Sequence, residues 1–196
     1  MVTTAERRPI PKQLWATIFE TTRGFAAVAA SAYGLVACNW RMASADEARR
    51  HLRPVLKPLV SSGGYACPDW LAESGGLPPH LAAARIAFHR FDCGDHNALA
   101  SLDLDNRARS PFAASVLRTV QAIPAGAVLS YGRVAELSGS PRAARAVGQV
   151  MAHNPLAPVV PCHRVIAAGG QPGGFGPGLP AKIELLAEEG VSLESI

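Results

Sequence analysis

Apolar and polar positions divide the chain near its middle. Apolar runs at Gly24 to Ala30 and Leu35 to Trp40 flank Ser31-Ala32-Tyr33-Gly34, which predicts two strands around a turn. Ser44-Ala45-Asp46-Glu47 is a capping box, in which serine and glutamate side chains satisfy the free N–H groups of a helix start. That helix is expected to run to about Leu52, and Pro54 and Pro58 to disrupt the chain beyond it. Gly63-Gly64 and Gly75-Gly76-Leu77-Pro78-Pro79 mark loops, and Ala87 to Cys93 reads as another short strand.

Beyond Asp103 to Arg109 the period changes to a helical one. Ser110-Pro111 is an N-cap followed by proline at the first helical position. Phe112, Val116, Val120 and Ile123 recur at helical spacing and predict a buried stripe that ends at Pro124-Ala125-Gly126. Ser130 caps a second helix with Val134 and Leu137 facing inward, closed by Gly139. Ser140-Pro141 starts a third, running to about His153. The last two form a helix-turn-helix pattern, a weak signal alone because helical hairpins are common. The third helix, Pro141-Arg142-Ala143-Ala144-Arg145-Ala146-Val147-Gly148, has a small-residue surface past which two arginines reach. Such a surface suits the narrow minor groove of DNA; close helix packing is the competing explanation. The expected class is mixed α/β (α+β). A small N-terminal α/β domain with a short sheet, residues 1–106, precedes a mostly helical domain, residues 107–196.

Composition is that of an ordinary folded chain, with 48% apolar and 17% charged residues in 196, so disorder is excluded. No apolar run approaches the roughly 18 residues of a membrane span, and polar Thr3 to Lys12 lacks a signal core. A soluble cytoplasmic protein without membrane contacts is expected. Charge adds a hint of a polyanion partner. From Arg107 to Arg164 there are seven arginines, no lysine and one acid, Glu136, which describes either a polyanion footprint or a solvated basic face. Cys38, Cys67, Cys93 and Cys162 are widely spaced, so a disulfide framework is not expected. His89 to His96 holds ligand-type residues around Cys93 but lacks the paired spacing of a zinc site; a polar turn near a strand end is the expected reading, with no metal and no cofactor.

Cys162 and His163 bring in chemistry. A thiol attacks as its thiolate, and a nearby histidine or positive field favours that form. On a strand, adjacent side chains point to opposite faces, so contact between the two needs a bend or a bridging water. A lone Cys-His pair is more often incidental than catalytic, and the weight comes from its surroundings.

Pro161-Cys162-His163-Arg164-Val165 closely resembles the active-site signature of the O6-alkylguanine-DNA alkyltransferases, or methylated-DNA–protein-cysteine methyltransferases. The flanking blocks agree in order: Ser130-Tyr131, Ala143 to Gly148, Asn154-Pro155, Gly178-Leu179 with Lys182, and Leu185-Leu186-Ala187 with Glu189-Gly190. The strong match covers Pro111 to Gly190, and the N-terminal part resembles the family only in pattern.

The resemblance implies irreversible, single-turnover transfer of the O6-alkyl group of a flipped-out guanine in duplex DNA to Cys162. His163 would link Cys162 through a water to Glu189, and Asn154 would brace the turn and orient His163. Tyr131 would crowd the target phosphate, and Arg145 would fill the gap left by the base. Ser130, Arg142, Ala143, Ala144, Ala146 and Gly148 would complete the DNA surface. Lys182 and Tyr131 would protonate the departing guanine. The main-chain carbonyls of Cys162 and Val165 would read its amino group, with Phe175 and Gly176 also lining the substrate site. The partner implied is double-stranded DNA carrying O6-alkylguanine, with O4-alkylthymine a second candidate, and the protein a monomer.

Two departures stand out. Phe175, in Gly173-Gly174-Phe175-Gly176-Pro177-Gly178, sits where the family usually has tyrosine, which leaves the preferred alkyl size open. The N-terminal part has no obvious counterpart of the zinc ligands of some relatives. Competing functions are a non-catalytic lesion sensor, in whose kind the cysteine is replaced, and a Cys-His hydrolase or acyltransferase. The second leaves the helix-turn-helix and Arg145 unexplained.

Overall fold

Two apolar faces organise the N-terminal half of the protein, a computed structural model of which describes residues 13–192 apart from 63, 73 and 74. Strands β1 (Trp15–Thr21), β2 (Gly24–Ser31) and β3 (Gly34–Met42) form an antiparallel meander, and β4 (Asp69–Leu71) adds parallel to β1, giving the order β3-β2-β1-β4. Along β2, Ala27 and Ala29 face helix α1 (Ala45–Ser61), while Ala26, Val28 and Ala30 face α2 (Pro79–Asp92) and the helical half. Covered on both sides, β1 has apolar residues on each face (Trp15 and Phe19 on one, Ala16 and Ile18 on the other) with Thr17, Glu20 and Thr21 among them, so apolar and polar positions do not alternate along it. That is why its pattern predicts no strand, although the β2–β3 hairpin is where the sequence places it.

Three expectations about these elements are corrected. Ala87 to Cys93 is not a strand: Ala87 to Asp92 end α2, and Cys93 caps it. Pro79 opens that helix, and Leu81, Ala84, Phe88 and Phe91 recur at helical spacing on its buried side. Helix α1 does not stop near Leu52 but continues to Ser61 through both prolines. Pro54 and Pro58 lie four apart on the exposed face, so the carbonyls they free meet water while Leu52 and Leu56 hold the inner face. Ser44 caps α1 as predicted, accepting from the Glu47 N–H at 3.2 Å. Residues 1–12 and Gly63, read above as a polar start and part of a loop, lie outside the described residues.

The second half is mostly helical: α3 (Pro111–Gln121), α4 (Tyr131–Leu137), α5 (Ala144–Ala152) and α6 (Leu179–Glu188), with a two-stranded parallel pair of β5 (Leu129–Ser130) and β6 (Val165–Ile166). Ser110 and Ser130 cap α3 and α4 as predicted. Leu137 does not face inward; it is half exposed, and Val134 and Ala135 form the buried pair of this two-turn helix. The third predicted helix begins later than expected, because Pro141 and Arg142 form the turn and Ala143 the cap of α5. α4 and α5 pack on each other and on α3. One apolar cluster runs without interruption from Phe19 and Val28 in the sheet through Phe88 and Val116 to Val147 and Val165. No helix among the described residues is long and apolar enough to cross a membrane.

Asp105 ties the two halves. Its buried carboxylate accepts from Ser31 Oγ at 2.5 Å, Tyr65 Oη at 2.9 Å and Arg107 Nε at 2.9 Å. Burial pushes this carboxyl up, but the hydrogen bonds from Arg107, Ser31 and Tyr65 outweigh that and bring it to about 2, from 3.8. A carboxyl depressed on folding stabilises above its unfolded pKa and loses that contribution as pH falls through the folded one. On the order of 2 kcal/mol should therefore disappear between about pH 5 and pH 2. Chemical denaturation at a series of pH values should show this decline reduced in Asp105→Asn, which starts less stable at pH 7.

Candidate active site

Cys162 does not lie on a strand. Residues Cys162–Arg164 form a single 3-10 turn leading into β6. Asn154 shapes the approach: its Nδ2 donates to the Val160 carbonyl at 3.0 Å, and its Oδ1 accepts from the Leu156 N–H at 3.0 Å. Each end of the amide is used, so the turn from Asn154 to Val160 is held from inside.

His163 is buried beneath the site and its Nε2 lies 2.9 Å from Glu189 Oε1. Glu189, just past the end of α6, also takes Arg164 Nε at 3.0 Å on Oε2 and Arg164 Nη2 at 2.8 Å on Oε1. Arg164 spends its remaining donors on the Ile123 and His96 carbonyls. Burial would push the Glu189 carboxyl up, but hydrogen bonds and charge from His163 and Arg164 prevail and hold it at about 2. Burial pushes the His163 imidazole down despite the Glu189 carboxylate, and the Arg164 and Lys182 charges add to that, so the ring rests neutral near pH 7. Burial also raises the Cys162 thiol, opposed by a hydrogen bond from Asn154 and by the positive charge of Lys182. The site therefore holds a neutral thiol beside a neutral imidazole backed by a fixed carboxylate. An imidazole so backed can take up a proton, because the cation formed has a counter-ion.

Lys182 is wholly buried and donates to the Val165 carbonyl at 2.5 Å. Burial brings its ammonium down to about 8 although the nearby Cys162 sulfur opposes the shift, a value from which a proton is readily given up near neutral pH. The two carbonyls assigned above to guanine already have protein partners: that of Val165 accepts from Lys182, and that of Cys162 accepts from the Val165 N–H.

The thiol opens into a cavity of about 240 Å³ lined by Tyr131, Gly148, Met151, Ala152, Gly174, Phe175 and Gly176. Tyr131, first residue of α4, points its hydroxyl toward the Gly174 carbonyl at 3.5 Å. Gly173 (φ 69°) permits this approach, since a Cβ there would stand 3.0 Å from the Tyr131 ring. Phe175 meets the edge of His163, with ring centroids 6.4 Å apart. Ser130 sits at the foot of α4 as its cap. One side of α5 forms a cavity wall through Gly148, Met151 and Ala152, and exposed Arg145 lies one turn before Gly148 on the same side. Arg142 and Ala146 are exposed nearby, Ala143 and Ala144 half-buried.

The structure thus sets Asn154, Lys182, Tyr131, Phe175 and Gly176 about Cys162, joins Glu189 to its neighbour His163 and Lys182 to Val165, and places Arg145, with Arg142 exposed a turn earlier, one turn before Gly148 of the cavity wall. The basic stretch is less of a surface than its count of arginines suggests. Arg107 pairs with Asp105, Arg133 with Glu136 and Arg164 with Glu189, and Arg109 donates to the Val36 carbonyl. Arg164 carries a structural duty that sequence reasoning did not assign, although it stands inside the motif. The residues around Cys93 end a helix, where Arg90 pairs with Asp95, and no metal-binding group of three side chains occurs among the described residues.

Fold and site together define a mixed α/β protein in which a part-buried cysteine, next in sequence to a paired histidine and glutamate, opens into a cavity beside an arginine-bearing helix. Residues 111–191 match the family described as 6-O-methylguanine DNA methyltransferase, DNA binding domain. A methylated-DNA–protein-cysteine methyltransferase of Mycobacterium bovis is 46% identical over 139 residues, covering 71% of this chain and 78% of the relative. Another, from Mycolicibacterium paratuberculosis, is 53% identical over 88 residues, which is 45% of this chain but only about half, 53%, of the relative. The crystal structure of Mycobacterium tuberculosis O6-methylguanine methyltransferase superposes with a TM-score of 0.61 at 27% identity, covering 90% of this chain and 93% of that one. A structure of the M. tuberculosis protein in complex with DNA gives 0.59 at 28% identity, with 89% and 91% covered. The chain belongs to the methylated-DNA–protein-cysteine methyltransferase family.

Proposed function

We propose that the protein repairs alkylated DNA by moving the O6-alkyl group of guanine onto Cys162, once per molecule. The observation that carries this reading is the thiol at the floor of a cavity of about 240 Å³, with His163 held 2.9 Å from Glu189 behind it. The alkyl carbon of the lesion is inaccessible inside a base stack, so the nucleotide must leave the duplex to reach such a floor. Unstacking costs a few kcal/mol, which a wedge can partly offset. Exposed Arg145 is suited to that place, because a flat guanidinium both stacks and hydrogen-bonds the orphaned base. Consecutive helices α4 and α5 act as a helix-turn-helix that enters the minor groove through the small residues beside Arg145, with Tyr131 against the target phosphate.

In the reaction, the thiol proton passes toward His163, whose charge Glu189 balances. The sulfur electron pair attacks the O6-alkyl carbon, and the carbon–O6 bond breaks with its electrons staying on guanine. A proton from Tyr131 or Lys182 neutralises the base, and the proton taken from sulfur makes good that loss. A thioether is the product. The carbonyls of Cys162 and Val165 retain a second lone pair each for the guanine amino group. We place the protein in the cytoplasm as a monomer, with O4-alkylthymine as a further substrate and a division of the chain near residue 106.

The test is the mass of the Cys162 peptide after incubation with a duplex carrying O6-methylguanine. The expected result is a gain of one methyl group, with total transfer stopping at one equivalent. Tight binding with no gain in mass would point to a lesion sensor and overturn the reading, as would turnover of acyl esters.

A further inference from the structure

Helix α6 supplies the site with both Lys182 and Glu189, and its C-terminal end is an unfavourable place for acids. The helix dipole leaves partial negative charge there, α6 has no basic residue in its last turn, and Glu188 and Glu189 stand side by side. Each is held by arginines from elsewhere in the chain. Glu189 has Arg164. Glu188 has two, one from β3 and one from the β1–β2 turn: Arg41 Nη2 lies 3.0 Å from both of its carboxylate oxygens, and Arg23 Nη1 lies 2.5 Å from Oε1.

The sheet is built to bring those two arginines together. Gly24 (φ 120°) begins β2 so close to the end of β3 that a Cβ there would stand 2.6 Å from the Met42 carbonyl oxygen, and this seats Arg23 beside Arg41. Arg41 takes a left-handed backbone (φ 56°), the one non-glycine residue to do so among those described. Its guanidinium lies over the Trp40 ring, 4.2 Å from the centroid, and also pairs with Glu184 Oε1 at 3.2 Å. Such a backbone conformation is unfavourable for a residue with a Cβ and persists where its surroundings require it.

We infer that Arg41, seconded by Arg23, is a positioning residue for the transfer reaction: it neutralises Glu188 at the end of α6, and Glu189 beside it stays aimed at His163. The sheet thereby takes part in the chemistry without touching the substrate. This rests on the proposed reaction for its biological meaning, but its test does not need DNA.

The experiment is a double-mutant cycle read in two ways: the single-turnover rate on an O6-methylguanine duplex, and the rate at which iodoacetamide alkylates Cys162 without DNA. Arg41→Gln should slow both by about fivefold or more, in the range of couplings between contacting charged residues. Glu188→Gln should remain within about twofold of the natural protein, and so should the double variant, because removing the acid removes the need for its partner. Arg41→Lys, which keeps the charge, should recover most of the rate, and melting curves confirm that each variant is folded. A double variant as slow as Arg41→Gln would mean that Arg41 serves only as packing, and Arg41→Gln at the natural rate would mean that it serves nothing; either overturns the inference. If the iodoacetamide cycle holds while no variant transfers a methyl group, the inference stands and the proposed reaction falls.

Discussion

Cys162→Ser is expected to abolish methyl transfer, by on the order of 10⁴-fold or more, while the folded protein still binds the lesion duplex. Serine matches the thiol in shape, so the turn held by Asn154 and the surrounding cavity should persist. What changes is the nucleophile. A thiol yields its proton to an imidazole within a few units of its own range, and sulfur attacks saturated carbon readily once ionised. A hydroxyl on the same pair is far harder to ionise, and burial, which already raises the thiol, penalises an alkoxide more. Single-turnover kinetics with mass detection measures the first effect and fluorescence anisotropy with labelled duplex the second. Full-rate transfer in this variant would move the acceptor to another side chain.

Glu189→Gln should be the more damaging change overall, because it strikes both stability and rate. The carboxylate is buried between His163 and Arg164, whose guanidinium has no other anion among the described residues. Removing one partner of a buried pair leaves an uncompensated charge, at a cost of about 3–5 kcal/mol. The same change deprives His163 of the group that stabilises its protonated form, and the lost assistance should slow transfer by about 10²-fold or more. Urea denaturation and single-turnover rates read the two losses separately. A Glu189→Gln protein of natural stability would show that Arg164 finds another anion when this one is removed.

Much of the site is legible from the residues because its chemistry is local. Cys162, His163 and Arg164 are consecutive, and Ser130, Asn154 and Gly148 each stand in short motifs whose types are dictated by a cap, an inner brace and an open wall. The failures share a physical origin in tertiary packing. Pro54 and Pro58 look like helix breakers until Leu52 and Leu56 are seen anchored on the sheet, and only then are they at home on the wet face of α1. Ala87 to Cys93 resembles a strand because its apolar residues are close together, yet the helix in which they lie begins eight residues earlier, at Pro79. Leu137 cannot be placed from spacing alone, since a two-turn helix has too few positions to define a face. Arg41 and Glu188 lie far apart in the chain, and no local pattern announces their meeting.

The apolar cluster that passes unbroken from Phe19 in the sheet to Val165 beside the acceptor has a consequence for how damage to this protein will look. With this one core shared by the two halves, melting of either should expose the other's interior, and both should unfold in one cooperative transition. Substitutions at Val28 or Phe88, distant in sequence from every reacting group, would then surface in a cell as alkylation sensitivity. The cause would be fewer molecules, each still competent, and under the proposed reaction, which spends the acceptor after one use, abundance sets repair capacity.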